Sequence, residues 1–275
     1  MKKRYSFKNI LIFAGMCVMT ATFIFPLYYM FINAMKTKQA YYKNPFSLPS
    51  GFYLDNLRLI ITDFNIFMYF KNSSIIAGIS TLLIIIFGVF ASYAFAKINF
   101  KYKNIVYLAI LATMFLPGQV SMIPAYVMFS KIGLMDNYWS VILSYLAGGL
   151  PGAILLMNSN FRGISNEMLE SARIDGAGYF NTVLRMVLPM GMSAISIVII
   201  FNFIGYWNDL LTPMLYLSTQ DKQTIMVALN ALVARVGSLP TLQLAGLLIS
   251  VAPMILLYLV LQKYLAKGLM AGGIK

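Results

Sequence analysis

The sequence predicts an all-α, polytopic membrane protein with six transmembrane helices and a helical loop on the cytoplasmic side. Three observations predict this fold class. Hydrophobic residues make up 60 % of the 275 residues and charged residues only 11 %, whereas soluble domains have about 45–50 % and about 25 %. Charged residues are absent from six long stretches of the chain, and the basic ones concentrate in alternate segments between those stretches.

Each of the six charge-free stretches has the length of a membrane-spanning helix. They cover residues 9–35, 72–96, 104–130, 137–161, 186–208 and 236–262. A bilayer core about 30 Å thick needs roughly 20 apolar residues of helix, and a charged side chain at its centre costs about 2.5–3.5 kcal/mol. We therefore predict a single transmembrane domain over residues 1–275, with spans at about 10–33, 72–96, 105–130, 138–160, 190–211 and 242–263.

The distribution of basic residues predicts the orientation of the chain. If both termini are cytoplasmic, the cytoplasmic segments hold 13 Lys and Arg residues and the external segments hold 8. Basic residues favour the cytoplasmic side of a membrane, so we expect both termini and the loop at 162–189 in the cytoplasm. The net charge of +13 is then an orientation signal. Membrane lipid is an expected partner, and nucleic acid is not.

The chain lacks the residues that several classes of protein require. There is no His and a single Cys, so a His/Cys metal site and an internal disulfide are excluded. The sequence has no G-x-x-x-x-G-K-[ST] loop for ATP phosphates and no G-x-S-x-G nucleophile turn. No ionisable residue lies within a charge-free span, which disfavours a carrier that relays protons. We expect no enzymatic activity and no cofactor bound by this chain.

The cytoplasmic loop at 162–189 has the pattern of a short helix, a turn and a second short helix. Ser165 or Asn166 can cap the first helix, and Glu167 and Glu170 lie in its first turn, where the helix dipole favours acids. Gly176 then ends or bends the helix. The apolar side chains of this first helix are Met168, Ala172 and Ile174. A polar helix with apolar side chains at the membrane face is suited to docking a soluble protein.

The same loop resembles the EAA motif of ABC importer permeases. That motif reads Glu-Ala-Ala, three residues, Gly, nine residues and Ile-x-Leu-Pro. At the same spacing the chain has Glu170-Ser171-Ala172, then Gly176, then Met186-Val187-Leu188-Pro189. Segments along nearly the whole chain also resemble maltose-type sugar permeases, in which a short permease subunit of this size pairs with a longer one. These segments are 72–73, 92–97, 122–126, 150–151, 174–177, 207–209 and 262–272.

The resemblance implies one transmembrane half of a bacterial, ATP-driven, binding-protein-dependent importer for a carbohydrate, an oligosaccharide by preference, in the cytoplasmic membrane. The implied partners are a second, homologous permease, two ATPase subunits that bind ATP and magnesium, and an extracellular solute-binding protein. The short helix would be the coupling helix, seated in a groove of one ATPase. The residues to which the resemblance gives this ATPase-coupling role are Glu167, Glu170, Ser171, Ala172, Asp175, Gly176, Leu188 and Pro189.

Polar and aromatic side chains within the spans are candidates for the solute path. A sugar is held by hydrogen bonds to its hydroxyls and by stacking on aromatic faces. The candidates are Asn72, Gln119, Asn202, Tyr206, Trp207 and Asn208. The same residue types also pack between membrane helices, and the partner permease can supply the sugar contacts instead.

Two alternatives stay open from the sequence. A glycerol-phosphate-type ABC importer belongs to the same permease family, although the spans lack the cations that a phosphate-bearing solute would need. A channel or secondary carrier belongs to another class and would need no ATPase partner.

Overall fold

The computed structural model describes residues 7–236 and 239–272, and every regular element in these residues is a helix. The helices are α1 (Phe7–Ala34), α2 (Lys38–Lys43), α3 (Asp55–Thr62), α4 (Ile66–Lys97), α5 (Lys103–Ala112), α6 (Gly118–Lys131), α7 (Tyr138–Arg162), α8 (Asn166–Ile174), α9 (Tyr179–Thr182), α10 (Leu188–Met190), α11 (Met192–Asn208), α12 (Leu211–Tyr216), α13 (Ile225–Val236) and α14 (Pro240–Gly272). A π-helical segment, Val183–Val187, joins α9 to α10. The predicted all-α fold class is confirmed. The two chain ends, at 1–6 and 273–275, for which the sequence predicts a cytoplasmic position, lie outside the described residues.

Within the described residues, four helices are long and apolar enough to cross a membrane, and two bent helix pairs bring the number to six. The four helices are α1, α4, α7 and α14. The first pair joins Lys103–Phe115 to α6 with a bend of 98°, and the second joins Tyr179–Met190 to α11 with a bend of 79°. The described residues thus have the fold of a polytopic membrane protein with apolar helices. That each bent pair crosses the bilayer as one span stays a prediction.

The structure differs from continuous predicted spans in its bends and in the lengths of its helices, and each difference has a physical reason. At the first bend, Leu116 is extended and Pro117 follows it as the N-cap of α6, because a residue before proline is disfavoured in the helical conformation. Helix α4 begins at Ile66, six residues before the predicted span, and includes Lys71. A charge-free stretch marks the segment that fits the hydrocarbon core, whereas the helix continues beyond it.

The described chain packs as two compact units, each with its own contacts. One unit contains the residues up to Phe67 and Leu229–Ala252, and the other contains Met68–Ala228 and the residues from Pro253. In the first unit, α1 is mostly exposed. All the coupling and solute-path candidates lie in the second unit.

Buried polar groups hold the segment after α1 in the first unit. Lys36 is only 2 % exposed, and its ammonium donates to the carbonyls of Asn44 (3.2 Å) and Pro45 (3.1 Å). The Asn56 amide donates to the carbonyls of Ala34 (2.9 Å) and Lys36 (2.8 Å). Burial lowers the pKa of Lys36 below its usual value, and its carbonyl partners compensate for part of the lost hydration.

The main apolar core of the second unit connects the loop around α8 to three long helices. Leu169 of α8 and the π-helical segment enter the same cluster as side chains of α4, α7 and α11. Its fully buried members are Ile84, Val89, Tyr93, Ala153, Met157, Phe161, Val183, Val187, Ile195 and Val198. The loop is therefore part of the packed interior of the unit.

Helices α7 and α11 are in close contact at Gly149. A Cβ atom added there would overlap the hydroxyl of Tyr206 and lie 2.6 Å from both Oδ1 of Asn202 and Cδ1 of Ile84. A Cβ added at the neighbouring Gly148 meets nothing within 4 Å. Small residues allow membrane helices to pack closely. Of the two adjacent glycines, only Gly149 is needed for this contact.

The substitution Gly149→Ala should lower the stability of the protein, because the added methyl group must displace Tyr206 and Asn202. We expect a loss of about 1–3 kcal/mol, the usual cost of overpacking, measured as a lower midpoint of thermal unfolding in detergent. Gly148→Ala is the matched control and should unfold at or above the wild-type temperature, since alanine favours helix over glycine. Equal midpoints for the two variants would contradict the tight α7–α11 contact.

Candidate functional site

Helix α8 turns one side towards the core and the other towards solvent. Leu169 is 3 % exposed and packs in the main core, and Ala172 is half-buried beside it. The outward side carries acidic and apolar groups together. Its exposed residues are Glu167, Met168, Glu170, Ser171 and Ile174, and Ile174 is 87 % exposed. The helix is thus held on one side and free for contact on the other.

The end of α8 requires a glycine. Gly176 has a φ of +83°, which lies in the left-handed region that side chains disfavour. The Ala177 N–H donates to the Ala172 carbonyl (2.9 Å), and the Asp175 N–H donates to the Ser171 carbonyl (3.0 Å). The bond from Ala177 is the six-to-one bond of the Schellman motif, which satisfies one of the last carbonyls of a helix, whereas the bond from Asp175 is an ordinary helical bond. Backbone conformation therefore explains the glycine of the motif.

Aromatic contacts hold the chain after Gly176 against α4. The Tyr179 hydroxyl donates to the Phe90 carbonyl (3.1 Å), and the Tyr179 ring centroid lies 5.3 Å from that of Tyr93. The Phe180 ring meets Phe90 edge to face at 5.5 Å. Leu169 and Tyr179 thus anchor the loop on both sides of Gly176. Sequence reasoning missed this anchor, although two adjacent aromatic residues directly after Gly178 were a visible signal.

Leu188 and Pro189 lie at the bend between the loop and α11. The Leu188 N–H donates to the Val183 carbonyl, five residues back, which makes this segment π-helical. Pro189 has no N–H and cannot restore the usual bond to the fourth residue back. The chain bends at Gly191, where an added Cβ would overlap the Phe161 ring. The eight coupling candidates therefore lie on α8, on the turn that ends it and at this bend.

Two solute-path candidates meet at the α7–α11 contact. The Tyr206 hydroxyl lies 2.8 Å from both the Tyr145 carbonyl and Oδ1 of Asn202. The Tyr206 ring stacks on Tyr145, with centroids 4.1 Å apart and an interplanar angle of 7°. The Tyr145 hydroxyl donates to the Asp209 carboxylate (3.0 Å). In this conformation Tyr206 and Asn202 serve helix packing.

The other candidates on α6 and α11 lie apart from this pair. Trp207 is 0 % exposed and packs between Phe70 and Phe203, at centroid distances of 5.2 and 5.7 Å. It therefore has no surface that a solute could touch in this conformation, which differs from the predicted lining role. Asn208 and Gln119 are exposed. The structure does not gather the six candidates into one site, and their path role stays a prediction.

Asn72, the remaining path candidate, lies at the opposite end of the helices from α8. Its amide N–H groups donate to the carbonyls of Asp221 (2.7 Å) and Gln223 (2.9 Å). Its oxygen accepts from the Tyr138 hydroxyl (2.7 Å). Asn72 therefore fastens the loop before α13 to the starts of α4 and α7.

Asp136, which the sequence analysis did not single out, holds the same loop from the other side. Its carboxylate accepts from the backbone N–H groups of Ser218 (3.0 Å) and Thr219 (2.9 Å) and from the Thr219 hydroxyl (2.6 Å). It also pairs with the Lys222 ammonium at 2.8 Å. The hydrogen bonds from Lys222 and Thr219 hold the pKa of Asp136 well below its usual value. The signal was an isolated acid directly before Asn137, the N-cap of α7.

These features are those of a polytopic membrane protein with a short helix, α8, that is anchored in the core of its unit on one side and open to solvent on the other. A family model described as "Binding-protein-dependent transport system inner membrane component" matches residues 84–270. The chain belongs to this family. Membership sets aside the channel and secondary-carrier alternative.

Individual relatives agree with this assignment, and a solved structure has the same fold. The chain is 32 % identical to the probable ABC transporter permease protein YurM of Bacillus subtilis, over 91 % of this chain and 83 % of that protein. It is 29 % identical to the diacetylchitobiose uptake system permease protein NgcG of Streptomyces coelicolor, over 90 % and 83 %. It shares its fold, with a TM-score of 0.63 and 14 % identity over 92 % and 93 % of the chains, with a bacterial alginate ABC transporter in complex with an alginate pentasaccharide-bound periplasmic protein.

Replacing Asp136 by Asn should destabilise the protein at neutral pH and lose this effect in acid. A carboxyl group whose pKa is lowered on folding stabilises the fold above its unfolded pKa, and this stabilisation is lost as the pH falls towards the folded pKa. The difference in thermal midpoint between wild type and Asp136→Asn should therefore be constant near neutral pH and shrink below 3.8, the ordinary pKa of the group.

The matched control for this prediction is Asp221→Asn in the same loop. Asp221 is exposed, and Asn72 binds its backbone carbonyl rather than its carboxylate. This control should unfold like wild type near neutral pH. A midpoint of Asp136→Asn that equals that of Asp221→Asn would show that the carboxylate does not hold the loop.

Proposed function

We propose that this chain is the permease subunit of an ATP-driven carbohydrate importer and that α8 is its coupling helix, seated in a groove of a separate ATPase subunit. The observation that carries this proposal is the two-sided character of α8. Leu169 ties the helix to the core, while Glu167, Glu170 and Ile174 project into solvent. Ile174 is 87 % exposed at the end of the helix and is available for contact with a partner.

The packing around α8 gives a route by which ATP binding moves the membrane helices. Closure of the ATPase pair would displace α8, and the displacement would pass through Leu169, Val183 and Val187 into α4, α7 and α11. Interiors are close-packed and transmit strain, so the helices respond as a group. Ser171, Ala172, Asp175 and Gly176 shape the end of α8, and Leu188 and Pro189 provide the bend at α11. ATP and magnesium act on the ATPase subunits.

The proposed assembly contains a second, homologous permease, two ATPase subunits and an extracellular solute-binding protein in a bacterial cytoplasmic membrane. The excess of basic residues in the segments around α8 supports a cytoplasmic position for both chain termini and for α8. The periplasmic protein bound to the alginate transporter supports the binding protein as a partner. The loop held by Asn72 and Asp136 lies at the other end of α7 and would face that protein.

The proposed solute is an oligosaccharide. The name of the diacetylchitobiose permease and the pentasaccharide of the alginate complex support this class. Asn208 and Gln119 are exposed polar side chains in the spans that are suited to sugar hydroxyls, and the partner permease completes the path. The charge-free stretches contain no Lys or Arg that could bind a phosphate group. This disfavours a glycerol-phosphate solute.

Replacing Ile174 by Ser should weaken binding of the ATPase subunit while the permease itself stays folded. The side chain is exposed, so its loss removes contacts with a partner and leaves the core intact. Burying such a side chain at an interface contributes about 1.5–3 kcal/mol, which predicts at least about a tenfold loss of affinity. The measurement is retention of the ATPase during purification of the complex, together with ATP-dependent uptake into vesicles.

The matched control is Ile132→Ser, because Ile132 is 64 % exposed and lies before the start of α7, at the opposite end from α8. This variant should retain the ATPase at the wild-type level. Equal retention by Ile174→Ser and Ile132→Ser would refute the coupling role of α8.

The solute class is tested with the purified importer and its binding protein in proteoliposomes. A neutral oligosaccharide from a panel of β- and α-linked sugars should stimulate ATP hydrolysis and accumulate inside the vesicles. Glycerol 3-phosphate is the discriminating probe, since the spans offer it no cation. Stimulation by glycerol 3-phosphate alone would favour the alternative importer.

A further inference from the structure

We infer that Lys97 is a positioning residue that sets the turn between α7 and α8 and thereby the orientation of the coupling helix. The inference rests on the proposed function of α8. Lys97 is the last residue of α4 and is half-buried. Its three partners lie in and beside the turn between α7 and α8, 65–69 residues farther along the chain.

The Lys97 ammonium group contacts three oxygen atoms of the turn. It donates to the Arg162 carbonyl at 3.2 Å and to Oδ1 of Asn166 at 2.9 Å. It also donates to the Ile164 carbonyl. A lysine ammonium has three donors and no acceptor, so these contacts use its full capacity. One side chain of α4 thus binds the last residue of α7, the first residue of α8 and the connection between them.

The electrostatics of the turn favour a cation at this place. Arg162 ends α7, and the last carbonyls of a helix lack intrahelical partners and carry the negative end of its dipole. Hydrogen bonds from an ionised donor are roughly twice as strong as neutral ones. The ammonium therefore satisfies the Arg162 carbonyl at the end of α7 and ties the turn to the end of α4.

The contact adds a polar anchor at the start of α8 to the apolar anchors of the loop. Ile164 in the turn and Leu169 in the middle of the helix pack in the main core, and Tyr179 holds the segment after the helix, but none of these three binds the first residue of α8. Lys97 fixes this first turn through Asn166. Lys101 lies in the connection between α4 and α5, four residues after Lys97, and its ammonium lies over the Tyr102 ring at 4.9 Å, so it serves as a control lysine without the contacts of Lys97.

The test compares Lys97→Met, Lys97→Arg and the control Lys101→Met in the complete importer in proteoliposomes. The readouts are the amount of assembled complex and the solute transported per ATP hydrolysed. A residue that only supported folding would change the first and leave the second at its wild-type value. We expect Lys97→Met to lower transport per ATP about tenfold, as for a lost charge-assisted hydrogen bond, with Lys97→Arg and Lys101→Met within about twofold of wild type.

A Lys97→Met complex with the same transport per ATP as Lys101→Met would overturn the inference. If Lys97→Met does not assemble, Asn166→Ala replaces it, since this variant removes one of the three acceptors. A lower transport ratio for Asn166→Ala supports the positioning role, and a wild-type ratio overturns it. The Ile174→Ser variant separates the two hypotheses, because normal ATPase retention in that variant would remove the proposed function itself, whatever Lys97 does.

Discussion

The structure of the candidate site depends on the burial of Leu169. A helix of nine residues is too short to be stable by itself in water, where isolated helices need about 12–15 residues. Helix α8 exists because Leu169 packs with Phe161, Val183 and Val187 in the main core and because Gly176 closes its end. The same contact ties the loop to the membrane helices. One apolar side chain therefore provides both the stability of α8 and its mechanical connection to the bundle.

Packing between the membrane helices follows another rule. Lipid is as apolar as a leucine side chain, so close backbone approach and polar contacts hold such helices together. Gly149 lets α11 approach α7, and the stacked pair of Tyr145 and Tyr206 fills the contact with its hydroxyls engaged. The breaks in the spans occur where the backbone ladder cannot continue, at Pro117 and near Pro189. The polar groups of Tyr145, Asn202 and Tyr206 thus bind other groups of the protein and are not available to a solute in this conformation.

Much of the helical fold could be predicted from the sequence because charges are excluded from lipid over a defined length. The helix–turn–helix around Gly176 could also be predicted, since glycine and acids mark helix ends locally. The residues of the solute path could not. In the sequence, Trp207 is a polar aromatic residue of a charge-free stretch, as an exposed path residue would be. Only its packing between Phe70 and Phe203 shows that it is buried. The two carbonyls that Asn72 binds lie about 150 residues away, and no local pattern encodes such a distance.

The loop held by Asn72 and Asp136 has a mechanical consequence for the second unit. It binds the start of α4 on one side and the turn before α7 on the other, and Tyr138 links these two helices directly to Asn72. The two helix starts are thus held together, so a relative movement of α4 and α7 would be smallest at this end. Helix α7 is about 37 Å long at 1.5 Å per residue, so a rotation of about 5° at this pivot moves the α8 end by about 3 Å. In such a movement α7 would act as a lever, with its fixed end at Asp136 and its moving end at α8.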